Sequence, residues 1–166
     1  LLFGWILPSV GLFTLTINLA VLFCYCTAIY SAFLFWQAKG RDFWQSPLFA
    51  VHLIVMALLA GSSLGIILDD GTPAIRAILL LSLILHGSLI ALDLMAVHST
   101  QDAKIAAKYV YKRNWMFWIG AILFGIFVPL VLLSFGQGGP AGLISLIGLL
   151  VYERVWIRAG QIVPLS

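Results

Sequence analysis

Five long apolar runs, separated by short polar segments, dominate the pattern along the chain. A helix needs about 20 predominantly apolar residues to cross a bilayer, and each run reaches that length. The predicted helices cover residues 8–38, 46–68, 74–98, 115–135 and 141–162. The runs are continuous, whereas the strands of a membrane β-barrel alternate over about ten residues. We therefore predict an all-α polytopic transmembrane bundle that forms a single membrane domain over residues 1–166.

Turn-forming residues separate the predicted helices. Ser46 followed by Pro47 is typical of a helix start, with an N-cap serine and a proline in the first turn. Pro129 lies inside the fourth run, where a missing backbone donor predicts a kink. The breaks between runs lie at residues 39–42, 69–73 and 136–140.

The longest connection, residues 99–114, has helical periodicity of its own. Lys104, Lys108 and Lys112 are four residues apart and therefore share one face. An apolar side is offered by Ile105, Ala106, Tyr109 and Val110. We expect the third helix to continue here as a short amphipathic segment at headgroup level.

Composition excludes a water-soluble domain. Hydrophobic residues make up 63% of the chain, charged residues 9%, and the mean hydropathy is +1.11. Soluble domains are about 45–50% apolar and about 25% charged, so the lipid bilayer is the expected environment. We interpret the net charge of +3 as a signal of membrane orientation and predict no nucleic-acid partner.

Basic residues fall in alternate connections, which indicates how the bundle is oriented. One side of the membrane receives the larger set: Lys39, Arg41, Lys104, Lys108, Lys112, Arg113 and, near the last helix end, Arg158. The opposite side receives Arg76. Because short cytoplasmic loops are enriched in Lys and Arg, we predict a cytoplasmic C-terminus and an outer N-terminus. Tryptophans near the predicted ends fit an interfacial belt: Trp36, Trp44, Trp115, Trp118 and Trp156.

Ionisable side chains within the predicted spans are the main functional candidates, because charges inside a bilayer are costly. The set is His52, His86, Asp93, Glu153, Arg154 and Arg158. Carboxylates and imidazoles in a row are the groups that proton transfer requires. The alternative is a static network that pairs each carboxylate with an arginine. The sequence leaves both interpretations open.

Cofactor motifs give little further signal. Counted from the helix ends, His52 and His86 differ in depth by about 9 Å, which disfavours bis-histidine haem, and we predict no haem, iron–sulfur cluster or metal site in this chain. Asn18 and Tyr25 share a face of the first helix and are candidates for contacting a quinone headgroup. An interhelical hydrogen bond is the alternative for this pair.

Three short motifs occur in order along the chain. The first is Trp44-Gln45-Ser46-Pro47-Leu48, followed within a helix by Ala57, Gly61, Ser62 and Ser63. The second is Trp115-Met116-Phe117-Trp118-Ile119-Gly120, leading to Gly125 and Val128-Pro129-Leu130. The third is Arg158-Ala159-Gly160-Gln161, followed by Val163-Pro164-Leu165-Ser166. In this order and spacing they resemble the NrfD/PsrC (polysulfide reductase-type) family of membrane subunits.

The resemblance implies a membrane anchor subunit of a respiratory or photosynthetic electron-transfer complex. Such a subunit exchanges electrons between the quinone/quinol pool, menaquinone or ubiquinone, and a ferredoxin-like iron–sulfur partner beside a molybdopterin or multihaem cytochrome subunit. It is a non-catalytic or quinone-reactive part of an oxidoreductase complex in the bacterial cytoplasmic membrane.

Family members are longer, so we expect this chain to be the C-terminal part of such a protein, with the quinone site in absent N-terminal helices. The alternatives are a transporter or channel fragment and a purely structural membrane scaffold.

Overall fold

The computed structural model describes residues 10–69, 72–96 and 100–163, and every regular element in those ranges is helical. The α-helices are α1 (Val10–Trp36), α2 (Phe49–Asp69), α3 (Pro73–Met95), α4 (Gln101–Lys108), α5 (Val128–Ser134) and α6 (Gly138–Ile162). A 3₁₀ turn covers Asp42–Gln45, and π-helical segments cover Tyr109–Arg113 and Phe117–Phe127. The predicted all-α fold is confirmed.

Within the ranges that the structure describes, five helices are long and apolar enough to cross a membrane, as predicted. They are Gly11–Trp36, Phe49–Leu68, Pro73–Met95, Phe117–Ser134 and Gly138–Ile162. The fourth of them, which we call the fourth span, joins the π-helical segment directly to α5. The predicted end points at Pro8 and His98, and part of the predicted turn at residues 69–73, lie outside the described residues.

Helix α6 lies at the centre of the bundle, between α2 and the fourth span. It approaches the fourth span at backbone contact, because a Cβ added to Gly125 would lie 2.9 Å from the Cα of Gly148. On its other side, a Cβ on Gly142 would meet the Ser63 carbonyl of α2 at 2.7 Å. In lipid the hydrophobic effect does not drive helices together, and small residues at the interface allow the close packing that does.

Gly61 of α2, which belongs to the first motif, makes no equivalent contact. A Cβ added to Gly61 would meet nothing within 4 Å.

The fourth span changes its winding next to Pro129. The Val128 amide donates to the Leu123 carbonyl, five residues earlier, which is the π-helical pattern. From Val128 to Ser134 the chain is α-helical. Proline has no amide hydrogen to give to the preceding turn, and π-helical turns are found mainly where a helix is perturbed. The structure shows a change in helical winding at this point, and the kink at Pro129 stays a prediction.

The segment before α2 folds under the end of the bundle. Phe43 is buried, and the Trp44 ring lies so close to Gly160 of α6 that a Cβ there would overlap it. The Arg41 guanidinium donates to the carbonyl oxygens of Gly160 at 3.0 Å and Val163 at 2.7 Å. The last carbonyls of a helix lack partners within the helix, so Arg41 caps the end of α6.

Because this segment packs against α6, part of the predicted tryptophan belt is wrong. Trp115 and Trp118 are exposed, as a belt requires, but Trp156 is buried. Trp44 stacks on Trp156 with ring centroids 6.2 Å apart. These two rings therefore form part of the packed core of the bundle end.

The amphipathic segment is a separate helix and does not continue α3, contrary to the prediction. Helix α3 ends at Met95, and Thr100 caps α4 by accepting the Ala103 amide at 3.3 Å. Lys104 and Lys108 are exposed while Ala103, Ala106, Ala107 and Val110 are buried. Ile105, predicted on the apolar side, is 44% exposed. The buried face of α4 packs against the 3₁₀ turn and α6.

Helix α1 lies at the edge of the bundle and packs along α2. No residue of its most apolar stretch is buried within the described chain. Its surface is apolar over the whole circumference, which is typical of a helix surrounded by lipid or by further membrane helices.

Candidate functional site

Two buried histidines face each other across neighbouring helices. The Nε2 atom of His52 in α2 and the Nδ1 atom of His86 in α3 are 2.8 Å apart. The side chains are 4% and 2% exposed. A hydrogen bond between two imidazole nitrogens requires one N–H and one bare nitrogen, so the pair shares a proton between α2 and α3.

The contact corrects the predicted depth difference of about 9 Å between His52 and His86. The prediction assumed that α2 and α3 end at one level. In the structure, Ser46 lies beside Asp93. The chain just before α2 is therefore level with the last turn of α3, and the start of α2 and the end of α3 are offset along the bundle. The 2.8 Å separation is also too short for a metal ion between these nitrogens, because a zinc–nitrogen bond alone is about 2.0–2.1 Å.

Tyr152 of α6 contacts both histidines and is not among the residues predicted from the sequence. Its hydroxyl oxygen lies 3.4 Å from Nδ1 of His52, and its ring meets the His86 ring edge-on at 4.9 Å. The available signal was a tyrosine at membrane depth directly before Glu153. If the hydroxyl donates to His52 Nδ1, then His52 Nε2–H donates to His86 Nδ1. One consistent set of donors thus connects three helices.

A second, partly buried polar pair lies between the residue after the 3₁₀ turn and the end of α3. The Ser46 hydroxyl donates to Oδ1 of Asp93 at 2.6 Å, and Asp93 is buried. Ser46 was predicted as the N-cap of the second helix, but α2 begins at Phe49. The Ser46 hydroxyl instead donates to the Asp93 carboxylate. Hydrogen bonds to charged groups are stronger than those between neutral groups.

A small void borders both the histidine–tyrosine cluster and the Ser46–Asp93 pair. It has a volume of about 10 Å³, and both Asp93 and Tyr152 line it, together with Phe43, Ile90, Leu94, Val110, Phe117 and Trp156. A single water needs roughly 10–15 Å³ by this measure and at least two polar partners. Asp93 and Tyr152 are the lining residues whose side chains carry oxygen atoms able to act as such partners. We call the residues His86, His52, Tyr152, Asp93 and Ser46 the polar chain.

An aromatic cavity lies on the other side of Tyr152. Its volume is about 200 Å³, and it is lined by Phe35, Phe49, Leu53, Met56, Tyr152, Glu153, Trp156 and Ile157. Phe49 and Trp156 stack nearly parallel, with centroids 4.4 Å apart and planes at 6°. A cavity of about 150 Å³ accepts benzene, so this one is large enough for a flat aromatic ring.

The six sequence-predicted residues separate into two groups. His52, His86 and Asp93 belong to the polar chain. Glu153 is half-buried at the aromatic cavity, and Arg154 and Arg158 are exposed on the outer face of α6. Among the described residues, no hydrogen bond or ion pair involves any of these last three side chains. In the described part of the chain, the pairing of each carboxylate with an arginine is therefore not seen.

The candidate quinone contacts on α1 do not converge on one site. Tyr25 lines an apolar groove of about 390 Å³ between α1 and α2, together with Ile17, Ala20, Val21, Cys24, Ala28, Ile54, Ala57 and Leu58. Asn18 is exposed and lies outside that groove. Over the described ranges, no cluster of three or more His, Cys, Asp or Glu could hold a metal ion.

The structure therefore has a buried polar chain across α2, α3 and α6, next to a cavity of the size of an aromatic ring. Comparison with known proteins adds no assignment. No protein-family model, curated protein or solved structure matches this chain. The resemblance to the NrfD/PsrC family accordingly stays a prediction from the sequence motifs.

Proposed function

We propose that this chain is a membrane anchor subunit of NrfD/PsrC type in a bacterial cytoplasmic membrane. It exchanges electrons between the quinone pool and a ferredoxin-like iron–sulfur partner, beside a molybdopterin or multihaem subunit. Its own residues move protons, and its basic end, with the C-terminus, faces the cytoplasm.

The observation that carries this proposal is the hydrogen-bonded His52–His86 pair at 2.8 Å. Two imidazoles in contact can pass a proton by exchanging donor and acceptor roles. Tyr152 extends the connection from His52 to the water-sized void, and Asp93 faces that void with Ser46 beside it. Such chains of ionisable groups in the membrane interior are typical of proton pathways.

The aromatic cavity supports the quinone part of the proposal. Oxidation of a hydroquinone ring releases protons together with electrons, and reduction of a quinone consumes both. Phe49 and Trp156, stacked on each other, provide apolar lining for such a ring, and Glu153 is the lining residue with a carboxyl group. Tyr152 borders both the cavity and the polar chain, so a ring bound here has a short route to His52.

The packing of the three motifs also supports the family assignment. Trp44 of the first motif packs on Gly160 of the third, and Gly125 of the second packs on α6 at Gly148. Residues far apart in sequence thus form contacts that tolerate few other side chains. Packing contacts of this kind would keep the three motifs in the same order in proteins that share the fold.

The experiment is mass spectrometry of the complex gently solubilised from its native membrane, with iron and optical assays on the same sample. We expect an iron–sulfur subunit and a molybdopterin or multihaem subunit to accompany this chain. Purification of the chain free of redox partners and of iron would contradict the proposal. In that case, solute transport by the chain alone in liposomes would support a transporter.

A further inference from the structure

Two arginines on the exposed side of α6 make no hydrogen bond or ion pair with any residue that the structure describes. Arg154 and Arg158 are both exposed, and their spacing of four residues places them on one face. Helix α6 ends at Ile162, so they start about 12 Å and 6 Å from its end at 1.5 Å per residue. An arginine at such depth must reach the interface or meet an anionic partner, because an unpaired charge in lipid is costly.

The surface around them is a cleft with a polar end and an apolar end, which we call the arginine cleft. It has a volume of about 720 Å³ and is lined by Met116, Ile147, Leu150, Val151, Glu153, Arg154, Ile157, Arg158 and Gln161. Gln161 and Arg158 lie nearest the end of α6. Ile147 and Leu150 lie one to two turns deeper than Arg154, toward mid-membrane, and both are more than half exposed.

This order matches the shape of a phospholipid in the leaflet at the basic end. The headgroup phosphate of that lipid lies at the level reached by Arg158 and by an Arg154 side chain that extends toward the surface. Its acyl chain runs along the deeper apolar part of the cleft. Arginine suits this role because its planar guanidinium forms paired hydrogen bonds with phosphate oxygens. Glu153 also lines the cleft. It starts about 1.5 Å deeper than Arg154, and its short side chain does not reach as far toward the helix end as an arginine does.

We propose that the arginine cleft binds one anionic phospholipid, such as phosphatidylglycerol or cardiolipin, with its phosphate held by Arg154 and Arg158. Basic pockets between membrane helices on the cytoplasmic side bind such headgroups. The proposal rests on α6 and its neighbour Met116 alone, and it does not depend on the proposed electron-transfer function. It accounts for both arginines, which have no role in the polar chain.

The test is native mass spectrometry of the full chain, or of its native complex, released from nanodiscs that contain phosphatidylglycerol and phosphatidylcholine. We expect wild type to retain phosphatidylglycerol preferentially. The double variant Arg154→Gln/Arg158→Gln should lose this preference by about 30-fold, as expected for two basic residues at the membrane surface. The matched control Lys104→Gln/Lys108→Gln removes two exposed charges from α4 near the same end of the bundle and should keep it.

Equal retention of the two lipids by wild type, or unchanged preference in Arg154→Gln/Arg158→Gln, would overturn the proposal. Loss of a protein subunit from the double variant with lipid retention unchanged would also overturn it, because the arginines would then bind an acidic protein partner. The variant Arg154→Lys/Arg158→Lys is the control for misfolding of the glutamine variant. It keeps both charges and should retain part of the lipid preference.

Discussion

Replacing His52 by Gln is expected to lower quinone-coupled turnover of the native complex by about 100-fold or more, the usual contribution of a proton-transferring side chain. Glutamine can still donate to Nδ1 of His86 and accept from the Tyr152 hydroxyl, the two contacts that His52 makes. An amide does not take up and release protons as an imidazole does. The variant therefore removes proton transfer and keeps the hydrogen bonds.

The matched control for His52→Gln is Ser63→Ala. Ser63 and Ser145 form a buried hydrogen bond of 2.7 Å between α2 and α6, the same helices that carry His52 and Tyr152. Loss of one such bond costs about 1 kcal/mol of stability and should leave turnover near the wild-type rate. Equal turnover in His52→Gln and wild type, with partner subunits and iron retained in both, would show that the histidine pair is structural.

Gly148→Val is expected to prevent accumulation of the folded chain. A Cβ at Gly148 would overlap the backbone of Gly125 in the fourth span, and backbone cannot rotate away as a side chain can. Overpacking costs about 1–3 kcal/mol where side chains can adjust, so we expect a loss of more than about 3 kcal/mol in the free energy of unfolding. The measurements are the yield of chain in the membrane and its thermal unfolding in detergent.

Gly61→Val is the control for that experiment, because a Cβ at Gly61 of α2 meets nothing within 4 Å. It places the same β-branched side chain within a span and should reach a near wild-type yield. Normal yield and unfolding temperature for Gly148→Val would mean that α6 and the fourth span do not cross in contact at Gly125.

The helices themselves could be predicted from the sequence because bilayer thickness imposes a long apolar run on each span. The ends of the helices were less predictable, and errors in their positions also made the predicted geometry of the site wrong. Depth counted from the predicted ends separated His52 from His86, since the count could not include the turn that folds beneath α2. Phe43 and Trp44 gave no periodic signal for that turn, because its position depends on contacts with α6, more than a hundred residues later.

The candidate site was predicted in part. His52, His86 and Asp93 were selected because ionisable groups are rare in membrane spans. Tyr152 and Ser46 were missed as members because neither carries a charge, and only tertiary contacts reveal what their hydroxyl groups face. Arg154 and Arg158 were selected by the same charge criterion, but exposure on α6 separates them from the polar chain. Charge predicts that a residue matters in a membrane and does not predict which way it faces.

The most direct test of the proton pathway is single-turnover proton release or uptake by the native complex in nanodiscs, with Tyr152 replaced by Phe. This change removes one hydroxyl group, the group that links His52 to the void beside Asp93. We predict normal assembly and iron content, with quinone-coupled proton transfer slowed by about 100-fold. Proton transfer at the wild-type rate in this variant would contradict a pathway through His86, His52, Tyr152 and Asp93.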